Sequence, residues 1–512
     1  MGEDLYRLLR FPLPDEGGYR LESRGVQIQQ MYLTECEDLL ERGIQFLHPE
    51  TGQRLNLADW YDTPWREQYH FGPFINWIND PNGLCWYKGY YHLFFQANPF
   101  GQIWNDMYWG HAVSKDLVHW THMPYALEPQ PVLWRDPLRK GGAFSGSAVA
   151  EEDQIHLYLT RHDGPQEDCS DTLEWQTEAF CADGIHITNE TDLIREKPEG
   201  ASFDFRDPKA IEVDGTWYLV LGGCLDGIPA ILLYEKQEDG SWQYQGPLLE
   251  EHHPGIRTFE CPDFFPLDGK FAAIGAWMCY RDEASRCQMT RCYIGDFKEK
   301  KLQVSAQQWM DFGSNFYAAQ TFEHQGRRIA IGWVSDQYEE HWNRKNGANG
   351  SFALPRELSI QKGRLFMKPV EECYQLLGEQ IFWAENTGKI PYTRIPGNCF
   401  YSKVLLAGDG DFRILLAKDG EDSLSLVRRD GITSIVSTKE EIRQVQFPSD
   451  VKAVREIEIF MDRRMAEIFL NRGEGAGTKL FYQNGMDGCL EAEFADGDLI
   501  ELEVREVESI WR

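Results

Sequence analysis

The chain has 512 residues, enough for two or more domains, and carries 82 Asp and Glu against 51 Lys and Arg, a net charge of −31. So anionic a chain repels nucleic acid and anionic membrane surfaces, and neither is an expected partner. Aromatic residues make up 13%, with 17 Trp, which suits a β-rich core and also sugar binding, where an indole face stacks on the apolar face of a sugar ring.

Residues 1–65 read as an N-terminal extension. It opens with "MGEDLYRLLRFPLPDEGGYR", which is charged and lacks the apolar run of a signal peptide. No stretch is long and apolar enough to span a bilayer. The 12 cysteines, with no CxxC pair, are therefore expected as reduced thiols of a cytoplasmic protein rather than as disulfides or a zinc site. The stretch "MYLTECEDLLERGIQFL" (31–47) has apolar residues at helical spacing, so the extension is expected to be partly helical. It should pack on the following domain or on an oligomer partner.

Residues 66–367 are rich in short strands. "NWINDPNG" (76–83) contains Asp-Pro-Asn-Gly, a strong turn signal. Five runs then resemble one another: "YKGYYHLFFQ" (87–96), "EDQIHLYLTR" (152–161), "VDGTWYLVLGG" (213–223), "LDGKFAAIGAW" (267–277) and "HQGRRIAIGWV" (324–334). Each is a polar turn followed by an apolar strand. The turns, at Gly89, Gln154, Gly215, Gly269 and Gly326, are spaced by roughly sixty residues. At about four strands per unit, that interval predicts a five-bladed β-propeller. Residues 368–380 read as a short helical linker. Residues 381–512 alternate with period two, as in "REIEIFMD" (455–462) and "LIELEVREV" (499–507), which predicts a β-sandwich.

Roughly nine residues before the five turns lie Asp80, Ser145, Asp207, Glu260 and Tyr317. Equivalent positions of propeller blades meet around the axis, so three carboxylates should converge with a Ser and a Tyr. Hard metals use such clusters, usually with ligands at short spacing, and no DxDxDG-type loop is present. Glycosidases use a carboxylate pair flanking the scissile bond. Trp104 and Trp109 follow soon after the first carboxylate, while His111 and His119 suit structural hydrogen bonding. Neither a metal nor a cofactor is implied.

With these motifs the chain resembles glycoside hydrolase family 32, the invertase and β-fructofuranosidase family. The W-x-N-D-P-N-G motif stands at Trp77–Gly83, R-D-P at Arg206–Pro208 and E-C at Glu260-Cys261. Q-x-N-P stands at Gln96–Pro99, F-S-G-S at Phe144–Ser147 and L-P-R-E-L at Leu354–Leu358. A sandwich motif appears as Phe460, Asp462, Glu467, Phe469, Asn471 and Gly473. The resemblance implies the propeller-plus-sandwich fold and a fructosyl sugar as substrate. It also implies Asp80 as nucleophile on the anomeric C2 of a β-fructosyl unit, Glu260 as acid/base and Asp207 as transition-state stabiliser. Arg206 would orient Asp207. Asn79, Gln96, Trp104, Phe144, Ser145, Tyr317 and Trp333 would complete the pocket. Double displacement with retention needs the two catalytic carboxyls about 5–5.5 Å apart.

The match departs from the family pattern at Asn105-Asp106, at Asn315 and Ala319, in "NGANGSFALPREL", which lacks a tryptophan, and at Arg464. These sites are expected at the pocket rim, where they would set the leaving-group preference. Sucrose-6-phosphate hydrolysis and fructosyl transfer are alternatives on the same scaffold. An inverting glycosidase of a related family and a non-catalytic sugar-binding propeller are rival readings.

Overall fold

A computed structural model describes residues 6–13, 18–35, 37–165, 171–283, 286–287, 289–334, 347–439 and 446–511. The chain is nearly all β. Among the described residues no helix is long and apolar enough to cross a membrane, and the described cysteines are all free.

Five antiparallel sheets follow one another along residues 76–369, each beginning with its innermost strand. Those inner strands are Asn76–Tyr87, Arg139–Ala150, Ala201–Val213, Phe259–Leu267 and Tyr317–His324. Each touches the next, and the fifth touches the first, closing a ring. The first sheet also gains Ala348–Asn349, which pairs in parallel with its inner strand. Four of the five recurring turns are two-residue hairpin turns with both residues at positive φ, as in Asp214 (50°) and Gly215 (80°). At Gln154 a longer loop replaces the turn.

All five inner strands bulge at the same place. Ile78 faces Ala97 while Pro81 faces Phe95, three residues against two. The same step occurs over 143–146, 206–209, 260–263 and 317–320. A bulge twists the strand and re-aims its side chains. Inner strands of neighbouring sheets splay apart, so side chains link them. Asn82 Oδ1 accepts from the Gly146 amide (3.3 Å), Ser147 Oγ from the Ala210 amide (3.2 Å) and Asp263 Oδ2 from the Thr321 amide (2.7 Å).

The turn expected at "DPNG" does not form. Residues 76–87 run as one strand with two bulges, the second between Asn82 and Cys85. Gly83 takes φ 53° there, and a Cβ on it would come within 2.7 Å of the Phe94 ring. Burial between two neighbouring sheets overrides the local turn preference, and the turn residues serve the bulges instead.

The C-terminal residues form two six-stranded sheets, one beginning with Leu377–Glu385 and the other with Lys389–Ile395. Alternate residues such as Ile457, Ile459, Leu502 and Val504 from one sheet meet Ile414, Leu416, Leu424 and Leu426 from the other in a shared core. Before them, Glu371–Leu376 is a 3₁₀ helix.

The two assemblies are joined by apolar packing that includes Phe71, Phe352, Phe460, Phe469 and Trp511, and by a buried ionic network. His70 lies between Asp462 Oδ2 and Glu467 Oε1, each 2.8 Å away. Arg356 donates to Glu467 Oε2 (2.6 Å) and to Asp311 Oδ2 (3.0 Å). Asp462 also accepts the amides of Gln68, Tyr69 and His70.

Residues 31–47 are not one helix. Met31–Leu33 and Gln45–Leu47 pair as a small sheet, and among the described residues between them only Leu39–Arg42 is helical. Gly43, at φ 67°, ends that turn. The apolar spacing serves a two-sided contact: Leu39, Ile44 and Phe46 pack on Val113 of the first sheet and on Phe74 and Met123, which flank its strands. Earlier residues also lie on the ring. Tyr6 meets Phe100 with ring centroids 5.5 Å apart, Arg7 sits over Trp134 and Arg10 pairs with Glu128.

Candidate active site

The bulges bring the three carboxylates together. Asp80 accepts from Ser145 Oγ on the neighbouring inner strand at 2.6 Å and lies 3.4 Å from Cys261 Sγ. Asn79 also bonds to it. Trp77 Nε1 donates to Asn79 Oδ1 (2.7 Å), which leaves the amide N–H₂ of Asn79 for the carboxylate. Asp207 adopts φ 64° in its bulge. It is held from both ends: its amide donates to Thr160 Oγ1 (2.9 Å) and its Oδ2 accepts from the Cys261 amide (2.7 Å). Cys261, at φ 44°, thus touches both aspartates and is covalently next to Glu260.

Both oxygens of Glu260 are engaged. Arg206 Nη2 donates to Oε1 at 3.1 Å and the Tyr317 hydroxyl donates to Oε2 at 2.7 Å. The five site positions do not share one register. Asp80 and Ser145 occupy the second bulge position, Asp207 the first, and Glu260 and Tyr317 the residue just before it. Counting back from the turns identifies the cluster but not this stagger.

Crowded acids in a buried place resist ionisation. Burial raises Asp80 above the usual carboxylate range, and the Glu260 charge adds to this, against the hydrogen bonds from Ser145, Cys261 and Asn79. Asp207 is pushed up to about 8, first by burial and then by Asp80 and Glu260, against the attraction of Arg206. Arg206 is held well above its ordinary value: burial opposes its charge, but Glu174, Glu260, Asp204 and Asp207 surround it. Among the described residues no group of three or more His, Cys, Asp or Glu is set to hold a metal ion.

The remaining expected residues form walls. Phe144 stacks on His162 (4.2 Å, 9°) and meets the edge of Trp104 (5.9 Å, 79°). Trp104 is 38% exposed, so it stands at a rim. Trp333 pairs with Tyr317 across the fifth sheet and packs edge-on against Trp77. Its buried indole N–H has no partner among the described residues. Gln96 is 2% exposed and donates to the Ala143 carbonyl (2.8 Å), so it braces the first two sheets against each other. His111 pairs with His92 at 3.0 Å and His119 with Asp116 at 2.8 Å, both structural contacts.

Sequence reasoning missed Glu174, Asp204 and Thr160, which hold Arg206 and Asp207 from behind; nothing in their local sequence marks them. It also misplaced two departures from the family pattern. Asn315 Oδ1 accepts from the Leu480 amide (3.1 Å), and Arg464 contacts Glu67, Ser351 and Tyr482. Both bind the two assemblies together rather than lining a rim. Asp106 is buried and accepts from the Gly141 amide.

Comparison with known proteins follows the same lines. Residues 70–369 match the description "Glycosyl hydrolases family 32 N-terminal domain". A sucrose-6-phosphate hydrolase of Zymomonas mobilis is 34% identical over 339 residues, 63% of this chain and 64% of that protein, so the alignment spans under two thirds of the relative's length. A solved family 32 glycoside hydrolase from Bifidobacterium adolescentis superposes with TM-score 0.89 at 36% identity, covering 94% of this chain and 89% of that one. A variant of a Bombyx mori β-fructofuranosidase in complex with sucrose superposes with TM-score 0.75 at 25% identity, covering 89% and 97%.

Proposed function

The chain belongs to glycosyl hydrolase family 32, and from that membership and its carboxylate cluster we propose that it releases terminal β-D-fructosyl units from sucrose or short fructo-oligosaccharides. The observation that carries the reading is the double clamp on Glu260, with Tyr317 and Arg206 each holding one oxygen beside Asp80 and Asp207. Glu260 donates its proton to the leaving oxygen while ionised Asp80 attacks C2 of the fructosyl unit. Glu260 then takes a proton from water, which attacks the fructosyl-enzyme and returns fructose with its configuration retained. Asp207, fixed by the Cys261 amide, accepts from the sugar hydroxyls. The N–H of Trp333, without a partner among the described residues, is a donor for the same ring, and Trp104 with Phe144 walls the leaving-group side.

The ring of five sheets supports a five-bladed propeller over about 66–367, and the two six-stranded sheets support a sandwich, whose first strand, Leu377–Glu385, begins inside the expected linker of 368–380 rather than at 381. The free cysteines suit a cytoplasmic enzyme. The substrate is a small sugar, with neither nucleic acid nor membrane as partner.

A second reading is favoured by the name of the Zymomonas mobilis relative and by one cation: Lys140 Nζ lies 5.9 Å from the Trp104 ring centroid. There it could meet a phosphate on the leaving group, making sucrose-6-phosphate the substrate. Assay on sucrose, sucrose-6-phosphate, kestose, inulin and levan, with products and anomeric configuration identified, separates these. Inverted fructose as first product would overturn the mechanism, and release of fructose from none of the five would overturn the function.

A further inference from the structure

A guanidinium in contact with a carboxyl group favours its ionised form. Arg206 touches Glu260 in this way, yet an acid catalyst has to keep its proton until the leaving oxygen takes it. The resolution lies on the far side of the arginine. Glu174, whose side chain has no exposure, accepts from Arg206 Nη1 at 3.0 Å. Asp204 accepts from the same nitrogen at 2.6 Å. Glu174 is anchored by the Phe205 amide (2.6 Å) and by His162 Nδ1 (2.9 Å). Arg257, entering from the loop before the Glu260 strand, shares Asp204 at 3.1 Å.

We propose that Glu174, with Asp204, is a positioning residue for the reaction: it takes up the charge of Arg206 from behind, so that Arg206 orients Glu260 without stripping it of its proton. The inference rests on the reading of Glu260 as the acid/base. The charges around Arg206 divide cleanly. On its own strand lie Asp204 and Asp207, and from the neighbouring sheet come Glu174 and His162. Lys197 adds a positive charge near Glu174 and Asp204. Across the site stands Glu260 with Tyr317. Before Glu260 is counted, the guanidiniums of Arg206 and Arg257 and the ammonium of Lys197 are thus met by three carboxyl groups, Glu174, Asp204 and Asp207. Burial opposes the charge of Glu174, but Arg206 and His162 hold it down to about 2, so it is an anion at every working pH. Through His162, whose ring lies flat on Phe144, the same carboxylate also braces the pocket wall.

The test is the pH dependence of sucrose hydrolysis by the full chain carrying Glu174→Gln, from about pH 4 to pH 9. The substitution keeps the shape and removes the charge. The alkaline limb of kcat is expected to move to lower pH by about half a unit or more, so that activity on that limb falls roughly threefold. Asp204→Asn should move the limb the same way but less, because Arg257 is released as well. Glu174→Asp should restore the wild-type limb. A limb that stays in place, or moves to higher pH, in both neutral variants would overturn the proposal, whatever happens to their melting temperatures. If Glu174→Gln does not fold, Asp204→Asn decides. Glu260→Ala keeps the two readings apart. If it stays active, the functional reading itself falls; if it is inactive while the limb of Glu174→Gln is unmoved, only this inference falls.

Discussion

The hydroxyl of Tyr317 donates to Glu260 Oε2 at 2.7 Å from the inner strand of the next sheet. Burial and the Glu260 charge both hold the phenol well above its ordinary value, so it stays a donor across the accessible pH range. Such a bond fixes the orientation of the carboxyl and contributes only where Glu260 acts. Tyr317→Phe should therefore lower kcat about ten- to a hundredfold with KM nearly unchanged, since one charge-assisted hydrogen bond is worth roughly 1.5–3 kcal/mol. A variant with wild-type kcat and a raised KM would instead make Tyr317 a binding residue.

Asp80→Ala and Glu260→Ala should each abolish sucrose hydrolysis while the melting temperature holds. For Glu260 the loss should be roughly 10²–10⁴-fold. The two differ in one respect. A fructoside with an aryl leaving group needs little protonation, so it should recover much of the loss in Glu260→Ala and none in Asp80→Ala. Equal losses on both substrates would leave Glu260 without its acid role.

The fold was legible where chemistry is local and repeated. Gly89, Gly215, Gly269 and Gly326 mark two-residue turns, each closing the first hairpin of its sheet. The acids one strand upstream could be named, but not their stagger, because each inner strand carries an extra residue and bulges leave no sequence signature. "DPNG" misled for the same reason: its turn chemistry was spent on bulges within a strand. The sandwich motif could be recognised from Asp462 and Glu467, but not its purpose. Their partners His70 and Arg356 lie 392 and 111 residues away, and no local pattern encodes such a contact.

Asp207 should cost the fold stability in return for its place in the site. Its folded value of about 8 stands above the ordinary 3.8. The folded state therefore binds the extra proton between those values, and the contribution of Asp207 to stability declines as pH rises through that window. Asp207→Asn removes the titration while keeping an acceptor for the Cys261 amide. The variant should melt higher than wild type at about pH 8, and the gap should close toward about pH 4, while activity is lost at both. A gap that widens toward acid would show that Asp207 is not held protonated by its burial and by Asp80 and Glu260.

His70 makes the opposite prediction for the joint between the two assemblies. Burial works against its charge, but hydrogen bonds and attraction from Asp462 and Glu467 lift it to about 9 from an ordinary 6.5. Its stabilisation is therefore complete below about 6.5 and fades as pH rises through about 9. Glu467 is buried too, yet Arg356 and His70 lower it to about 2 from 4.5, so its contribution is complete above 4.5 and fades only as pH falls through about 2. The joint is thus strongest between these limits, near pH 5–6. His70→Gln leaves buried Asp462 without its cation and Glu467 with Arg356 alone, and loss of one partner from such a pair typically costs about 3–5 kcal/mol. Denaturation midpoints at about pH 6 and about pH 9.5 read this directly. The variant should lie well below wild type at the lower pH and approach it at the higher one, because wild-type His70 has by then lost its proton as well. A constant gap would mean that the imidazole acts by shape alone.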